Sequence, residues 1–261
     1  MKNKDGIFIY DNRDLEGIKK ACEIASETLD MIAELIEPEI TTEFLDEACH
    51  NFMLEKNAIP ATLGYRGYPK SSCISLNHIV CHGIPSEKKL KNGDILNIDV
   101  TCIFNGWYGD TSRMFSVGDI SLKAKRLINV THESLLLGIE SAFPGNTFGD
   151  IGAAIQTFVE KNKMSVVRDF CGHGIGNQFH QPPNVLHYGK KNSGARLEAG
   201  MCFTIEPMVN IGRPETKILS DNWTAVTRDK SLSAQFEHTI FIKDNGSEIL
   251  TESKKNRFFC F

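Results

Sequence analysis

The stretch "LNIDVTCIFNGWYGDTSRMFSVG", Leu96 to Gly118, decides how the rest of the chain is read. Two runs of β-branched and aromatic residues flank Asn105-Gly106, the dipeptide that suits a two-residue type I′ turn because both of its positions take a positive φ. With that turn the numbers of cross-strand partners sum to 211, so Asp99 lies opposite Ser112 and Asp110 opposite Thr101. Residues two apart share a face, which makes Asp99 and Asp110 diagonal neighbours, roughly 7–8 Å apart at the backbone. Two carboxylates this close repel, and burial protonates one of them unless a cation compensates. A bound metal ion accounts for the pair; an exposed hairpin face with solvated acids is the alternative. A bulge near Gly109 would shift this register.

Other segments supply the same kind of residue. "DFCGHGIGNQFHQPP" sets His173 and His180 around Gly172, Gly174 and Gly176, and glycines let backbone and bound groups approach closely. "CFTIEPM" ends an apolar run with Glu206, before Pro207, and "SLSAQFEHTIFI" puts Glu237 inside another. An acid in a strand interior costs several kcal/mol, on the order of 2–7, when left unpaired. His238, next to Glu237, alternates to the opposite face and reads as structural. Asp99, Asp110, Glu206 and Glu237 carry four negative charges and His173 one nitrogen, a set that two divalent ions would neutralise. Oxygen-rich ligands with a single imidazole suit Mn, Fe or Co better than structural zinc. A pair of such ions is a hydrolytic arrangement, which points to amide or ester hydrolysis.

The chain also repeats itself. Apolar residues at three- and four-residue steps predict a helix from Asp11 to Ile36, ended by Pro38, and a second one capped by Thr41 or Thr42 and running to about Asn57. The apolar face of the second is read as Phe44, Leu45, Ala48, Phe52 and Leu54. Short strand-like runs follow, then helices over Ser121–Ala142 and from Thr147, with Asp150 completing a capping box, to about Lys161. "PEITTEFLDEA" from Pro38 resembles "PGNTFGDIGAA" from Pro144, an offset of 106 residues, and "LKNGDILNID" from Leu90 matches "LEAGMCFTIE" from Leu197, an offset of 107. Asp99 and Glu206 are then equivalent positions. The expectation is an α+β fold in one domain, residues 1–261, made of halves at about 11–118 and 119–250, with helices packed on a shared sheet.

Bulk properties narrow the function classes. The 261 residues, 41% hydrophobic, are enough for a sizeable core. A net charge of -4 and a pI near 6.1 give no electrostatic reason to expect DNA or a membrane as partner, and Lys88, Lys89 and Lys91 read as a solvated turn. The eight cysteines, Cys22, Cys49, Cys73, Cys81, Cys102, Cys171, Cys202 and Cys260, form no C-x-x-C pair. No disulfide scaffold or structural zinc is indicated. "MKNKDGIFIY" has too few apolar residues for a signal-peptide core, so a cytoplasmic location is expected.

Asp99, Asp110, His173, Glu206 and Glu237, set in "NIDVTCIFNGWYGDTSR", "GHGIG", "TIEP" and "QFEHTI", resemble the signature of the type I methionine aminopeptidase family. "GYRGYPKSSCISLNHIVCHGIP" and "FHQPPNVLHYG" extend the likeness over nearly the whole chain. The resemblance implies the pita-bread fold, a pseudo-two-fold α+β domain with a curved, mainly antiparallel sheet. It implies removal of the initiator methionine from nascent chains whose second residue is small, by a monomer acting near the ribosome exit. The cofactors implied are two divalent ions (Co, Mn, Fe or Zn). Asp99 and Asp110 would hold one, and Asp110, His173, Glu206 and Glu237 the other, with Asp110 and Glu237 bridging.

By the same resemblance Glu206 shuttles the proton of the attacking water, His82 contacts the scissile amide nitrogen, and His180 contacts the carbonyl oxygen. Tyr65, Tyr68, Cys73, Phe179 and Trp223 would line the methionine pocket. Thr62 and Arg66 depart from the common pattern, standing where cysteine and histidine are frequent. Asn77, Ile79 and Ser233 match positions that bind a monovalent cation in some members. His50, His78, His132 and His187 are read as structural histidines. Two rival readings share the fold: a prolidase or aminopeptidase P type peptidase, which usually carries an additional N-terminal domain, and a binding module that has lost catalysis. Such modules lose ligands, and all five are present here.

Overall fold

The computed structural model describes residues 1–255; residues 256–261, with Cys260, lie outside the described part. Its helices are α1 (Asn12–Ile32), α2 (Thr42–Glu55), α3 (Leu122–Ser141) and α4 (Phe148–Lys161). The central sheet contains β1 (Ile59–Pro60), β2 (Cys73–Leu76), β3 (Ile95–Phe104), β4 (Trp107–Ser116) and β5 (Gly172–Gly174). It continues with β6 (Gln181–Val185), β7 (Cys202–Ile205), β8 (Glu237–Lys243) and β9 (Gly246–Ile249). The strand order is β1-β3-β4-β8-β7-β5-β6, with β2 also on β3 and β9 also on β8, and every pairing is antiparallel. Two three-stranded sheets, one of them made of Ser165–Val166, Met208–Asn210 and Ser233–Gln235, complete the α+β architecture.

The β3-β4 hairpin turns at Asn105 (φ 50°) and Gly106 (φ 84°), and its register runs unbroken from Ile95↔Ser116 to Phe104↔Trp107. Gly109 introduces no bulge. Its missing side chain lets α1 cross the strand: a Cβ there would lie 2.2 Å from the Ala21 carbonyl carbon. Ile98, Val100, Cys102 and Phe115 meet Ala25 and Leu29 of α1 and Leu45 of α2 in one core. Phe203, Ile205, Ile240 and Ile242 meet α3 and α4 in another. Fully burying each of these large side chains stabilises the fold by roughly 1.5–3 kcal/mol.

Thr41 caps α2, and Thr147 caps α4, 106 residues later. Thr41 bridges to Lys89 and Thr147 to Arg196. The Leu90 N–H donates to the Ile40 carbonyl and the Leu197 N–H to that of Asn146, each at 2.8 Å. Gly93 and Gly200 both turn at positive φ, 93° and 91°. The same turn thus leads the chain into β3, which carries Asp99, and into β7, which Glu206 follows.

Two boundaries and one face differ from expectation. The α-helix ends at Ile32, and Ala33–Leu35 tighten into a 3-10 turn ahead of Pro38. In α2 the buried side is Thr42, Leu45, Asp46, Cys49 and Met53, while Phe44 and Leu54 are half-exposed, at 46% and 48%. The four-residue spacing of Leu45, Cys49 and Met53 selects the face, and apolar count alone does not reveal it. The helix ends at Glu55, two residues short, with Asn57 in the left-handed region at φ 58°.

Candidate metal centre and substrate pocket

Strand alternation sorts the sheet into two sides. Ile98, Phe115, Ile240 and Phe203 face the helices; their neighbours Asp99, Thr101, Asp110, Ser112, Glu237, Thr239 and Thr204 face the other way. Asp99 pairs with Ser112, which pairs in turn with Glu237, so three strands place acids in adjacent rows. Thr239 lies opposite Thr204, and two residues further along that chain comes Glu206. On β5, His173 alternates with Gly174, which lies opposite Phe203, and so shares the acids' side.

The five residues converge. Ligand atoms of Asp110, His173 and Glu237 all lie within 4.8 Å of one another. His173 Nε2 is 3.5 Å from Asp110 Oδ2 and 3.8 Å from Glu206 Oε1. The other ring nitrogen, Nδ1, lies 3.1 Å from the Gly174 carbonyl, which can only accept, so in the neutral ring Nδ1 carries the proton and the Nε2 lone pair faces the carboxylates. Thr101 Oγ1 donates to Asp110 Oδ1 at 2.7 Å, and Thr204 Oγ1 accepts from the His173 N–H and donates to Glu206 Oε1 at 2.8 Å. Gln235 Nε2 donates to Glu206 Oε2 at 3.3 Å. Asp99 Oδ1 is buried and has no hydrogen-bond partner among the described residues.

Burial and mutual repulsion push the carboxyls of Asp99 and Glu237 well above the usual range, and burial holds Glu206 at about 7. Burial works against protonation of His173, yet Asp110 and Glu206 raise it overall. Lone pairs that face one another, an orphaned carboxylate oxygen and acids that cannot all ionise share one remedy, a multivalent cation. The donor set of four carboxylates and one imidazole fits hard-to-borderline divalent ions.

A cavity of about 310 Å³ opens over this cluster, and all five residues line it. Its aromatic wall contains Tyr65, Tyr68, Phe179 and Trp223, with Thr62 and Cys73 beside them. Tyr68 meets Trp223 edge-on at 5.1 Å and Tyr65 meets Phe179 at 4.8 Å. The Tyr68 hydroxyl reaches the carbonyls of Ser72 and Gly83, which leaves its ring as the surface offered to the cavity. His82, at φ 56°, sits between Phe170 and Trp223, and burial pulls its pKa down. His180 lies against His173 with ring centroids 4.1 Å apart; burial and the nearby His173, Arg66 and His82 hold it neutral down to about 3. Asn77, Ile79 and Ser233 do not line this cavity; the Ser233 N–H donates to the Asn77 carbonyl at 2.8 Å nearby.

Residues 16–244 match the sequence model of metallopeptidase family M24. The chain belongs to metallopeptidase family M24. Within M24 it is similar to the methionine aminopeptidase of Rickettsia prowazekii, at 55% identity over 95% of this chain and 96% of the relative. The crystal structure of methionine aminopeptidase from Rickettsia prowazekii superposes with a TM-score of 0.94 at 54% identity, covering 94% of this chain and all of that one. A prolidase from Pyrococcus furiosus shares only the fold, with a TM-score of 0.75 at 23% identity over 96% of this chain and 67% of that one. The shared fold is the pita-bread architecture.

Several residues that contact the cluster were not singled out by the sequence. Thr204 sits two residues before Glu206, a position that alternation alone marks as facing the acids. Gln235 and Thr101 share that signal. His187 carries no such mark: it is fully buried in the bend that follows β6, and its Nε2 accepts the Glu206 N–H at 3.0 Å. His50, bonded to Ser71, and His132, stacked edge-on against Phe236, stay away from the cavity.

The electrostatics of the M24 cluster carry a pH dependence. An acid whose folded pKa is raised supports the fold fully below its unfolded pKa, about 4, and this support is lost as pH rises through the folded value. For Glu206 that value is about 7. A cation substitutes for those protons. Adding Mn(II) to metal-free protein is therefore expected to raise Tm more at pH 8 than at pH 5, read by calorimetry; equal shifts would contradict the assignment of the acids.

Proposed function

We propose that the chain removes the N-terminal methionine from nascent proteins and peptides whose second residue is small, by attack of water on the first peptide bond. The observation that carries this reading is the five-residue acid and histidine cluster at the floor of an aromatic-walled cavity. The 55% identity to a methionine aminopeptidase supports it. Asp99, Asp110, His173, Glu206 and Glu237 would hold two divalent ions (Co, Mn, Fe or Zn). When bound, the ions supply Lewis acidity to the scissile carbonyl and lower the pKa of the attacking water.

The protein's own groups do the rest. The thioether of the first residue enters the space between Tyr65, Tyr68, Cys73, Phe179 and Trp223, with Thr62 at its edge, an apolar cup that suits a flexible polarizable side chain. Glu206, held by Thr204 and Gln235 at its two oxygens, takes the proton of the attacking water and returns it to the departing amine. His82 contacts the scissile amide nitrogen. His180 donates a hydrogen bond to the carbonyl oxygen as negative charge gathers there.

The chain works as one catalytic domain of two related halves, as a monomer, in the cytoplasm, on polypeptides near the ribosome exit. No helix among the described residues is long and apolar enough to cross a membrane. Asn77, Ile79 and Ser233 would hold a monovalent cation; Ser233 Oγ is buried with no hydrogen-bond partner among the described residues. With Mn(II) supplied, methionine is expected to be released from Met-Ala-Ser and nothing from Lys-Ala-Ser. Release from neither peptide by metal-loaded protein would overturn the reading.

A further inference from the structure

His180 does not meet the substrate unaided. Residues 62–68 form a tight loop in which Gly64, Arg66 and Gly67 all take positive φ, 80°, 49° and 87°. For arginine that conformation costs roughly 1–2 kcal/mol, which the surrounding structure must hold in place. Four successive backbone bonds do so: Gly64 to the Tyr68 carbonyl, Tyr65 to Thr62, Gly67 to Gly64 and Tyr68 to Tyr65, at 2.8–3.1 Å. The result is a fixed Tyr65, whose ring stacks on that of His180 at 5.2 Å and 25° and whose hydroxyl lies 2.9 Å from His180 Nδ1. The Arg66 guanidinium lies over the same tyrosine ring, 5.3 Å from its centroid.

A neutral imidazole has one N–H, and the bond at one nitrogen decides which function the other has. A cation over the ring draws electron density from the phenol, which makes its O–H a better donor and its oxygen a poorer acceptor. The hydroxyl has no other partner among the described residues, so donating to Nδ1 satisfies both groups. Nε2, which bonds to no described residue, is then the nitrogen with the proton.

We propose that Tyr65 is a positioning residue for His180: its hydroxyl donates to Nδ1, and this keeps the imidazole proton on Nε2, the nitrogen offered to the substrate carbonyl oxygen. Arg66, in place of the more common histidine, reinforces that donor. The proposal rests on the role given to His180 above and adds a second task to a residue otherwise read as pocket wall.

The test is a double-mutant cycle of Tyr65→Phe, His180→Ala and the pair, assayed on Met-Ala-Ser with Mn(II), together with nitrogen-15 NMR of labelled histidine. Phenylalanine keeps the ring and removes only the hydroxyl. In the wild-type background Tyr65→Phe is expected to lower kcat roughly tenfold, the equivalent of one directing hydrogen bond, with KM little changed. In the His180→Ala background it is expected to have no effect. The NMR signal of His180 should be that of an Nε2–H tautomer, mixed in Tyr65→Phe. Equal losses in both backgrounds, no loss in the wild-type background, or an Nδ1–H tautomer would overturn the proposal. Full activity of His180→Ala alone would instead overturn the catalytic role of His180.

Discussion

Glu206→Gln is expected to lower kcat for Met-Ala-Ser by about 10²–10⁴-fold, the usual worth of a positioned proton-transfer group, with little change in KM. The amide keeps the shape of the side chain and two of its three contacts: its carbonyl oxygen can accept from Thr204 and the backbone N–H remains bonded to His187, while the bond from Gln235 Nε2 is lost because the new amide nitrogen cannot accept. What it cannot do is take a proton from water. The substitution also removes one of four crowded acids, and burial holds this one at about 7, so its charged form is unwelcome in the metal-free fold. Glu206→Gln should therefore be at least as stable as the parent above pH 7 while being nearly inactive. Kinetics and thermal melts on the same sample check this, and a variant keeping more than about a tenth of the parental kcat would remove Glu206 from proton transfer.

Asp110→Asn is expected to have the larger effect, abolishing turnover and reducing the divalent ions bound per chain. Asp110 occupies the middle of the cluster: Oδ2 faces His173 Nε2 at 3.5 Å, Oδ1 is oriented by Thr101, and its ligand atom lies within 4.8 Å of that of Glu237. Asparagine keeps the volume and the Thr101 contact but removes the charge that two ions would share. Because Asp110 is deep in a regular strand pair, with its backbone carbonyl accepting from Thr239 Oγ1 at 2.7 Å, the fold should survive. Metal analysis after dialysis, with circular dichroism, reads both consequences. A variant that binds two ions and turns over normally would contradict the ligand assignment.

The hairpin and its facing acids were legible because each depends on local rules. An Asn-Gly turn sets the register, and a period of two sets the face, so Asp99 and Asp110 fell where the sequence placed them. The ends of α3 and α4 were legible for a similar reason, since Ser121 and Thr147 are caps that act within one turn. The buried face of α2 was not, because Phe44 and Leu54 are apolar yet half-exposed, and only the partner surface chooses between adjacent faces. His187 was hidden for another reason. Its contact is to a backbone N–H nineteen residues away, and a backbone donor leaves no trace in residue type. The tie from Tyr65 to His180 joins positions 115 apart through a loop held by positive φ angles that sequence suggests only at its two glycines.

The central claim is that the acid and histidine cluster is a metal centre that hydrolyses the bond after an N-terminal methionine. Its most direct test is methionine release from Met-Ala-Ser by metal-stripped protein as Mn(II) is added back. Release should be absent without metal and should rise with added ion until the cluster is filled. Undiminished release after stripping, or no release once the ions are bound, would contradict the claim.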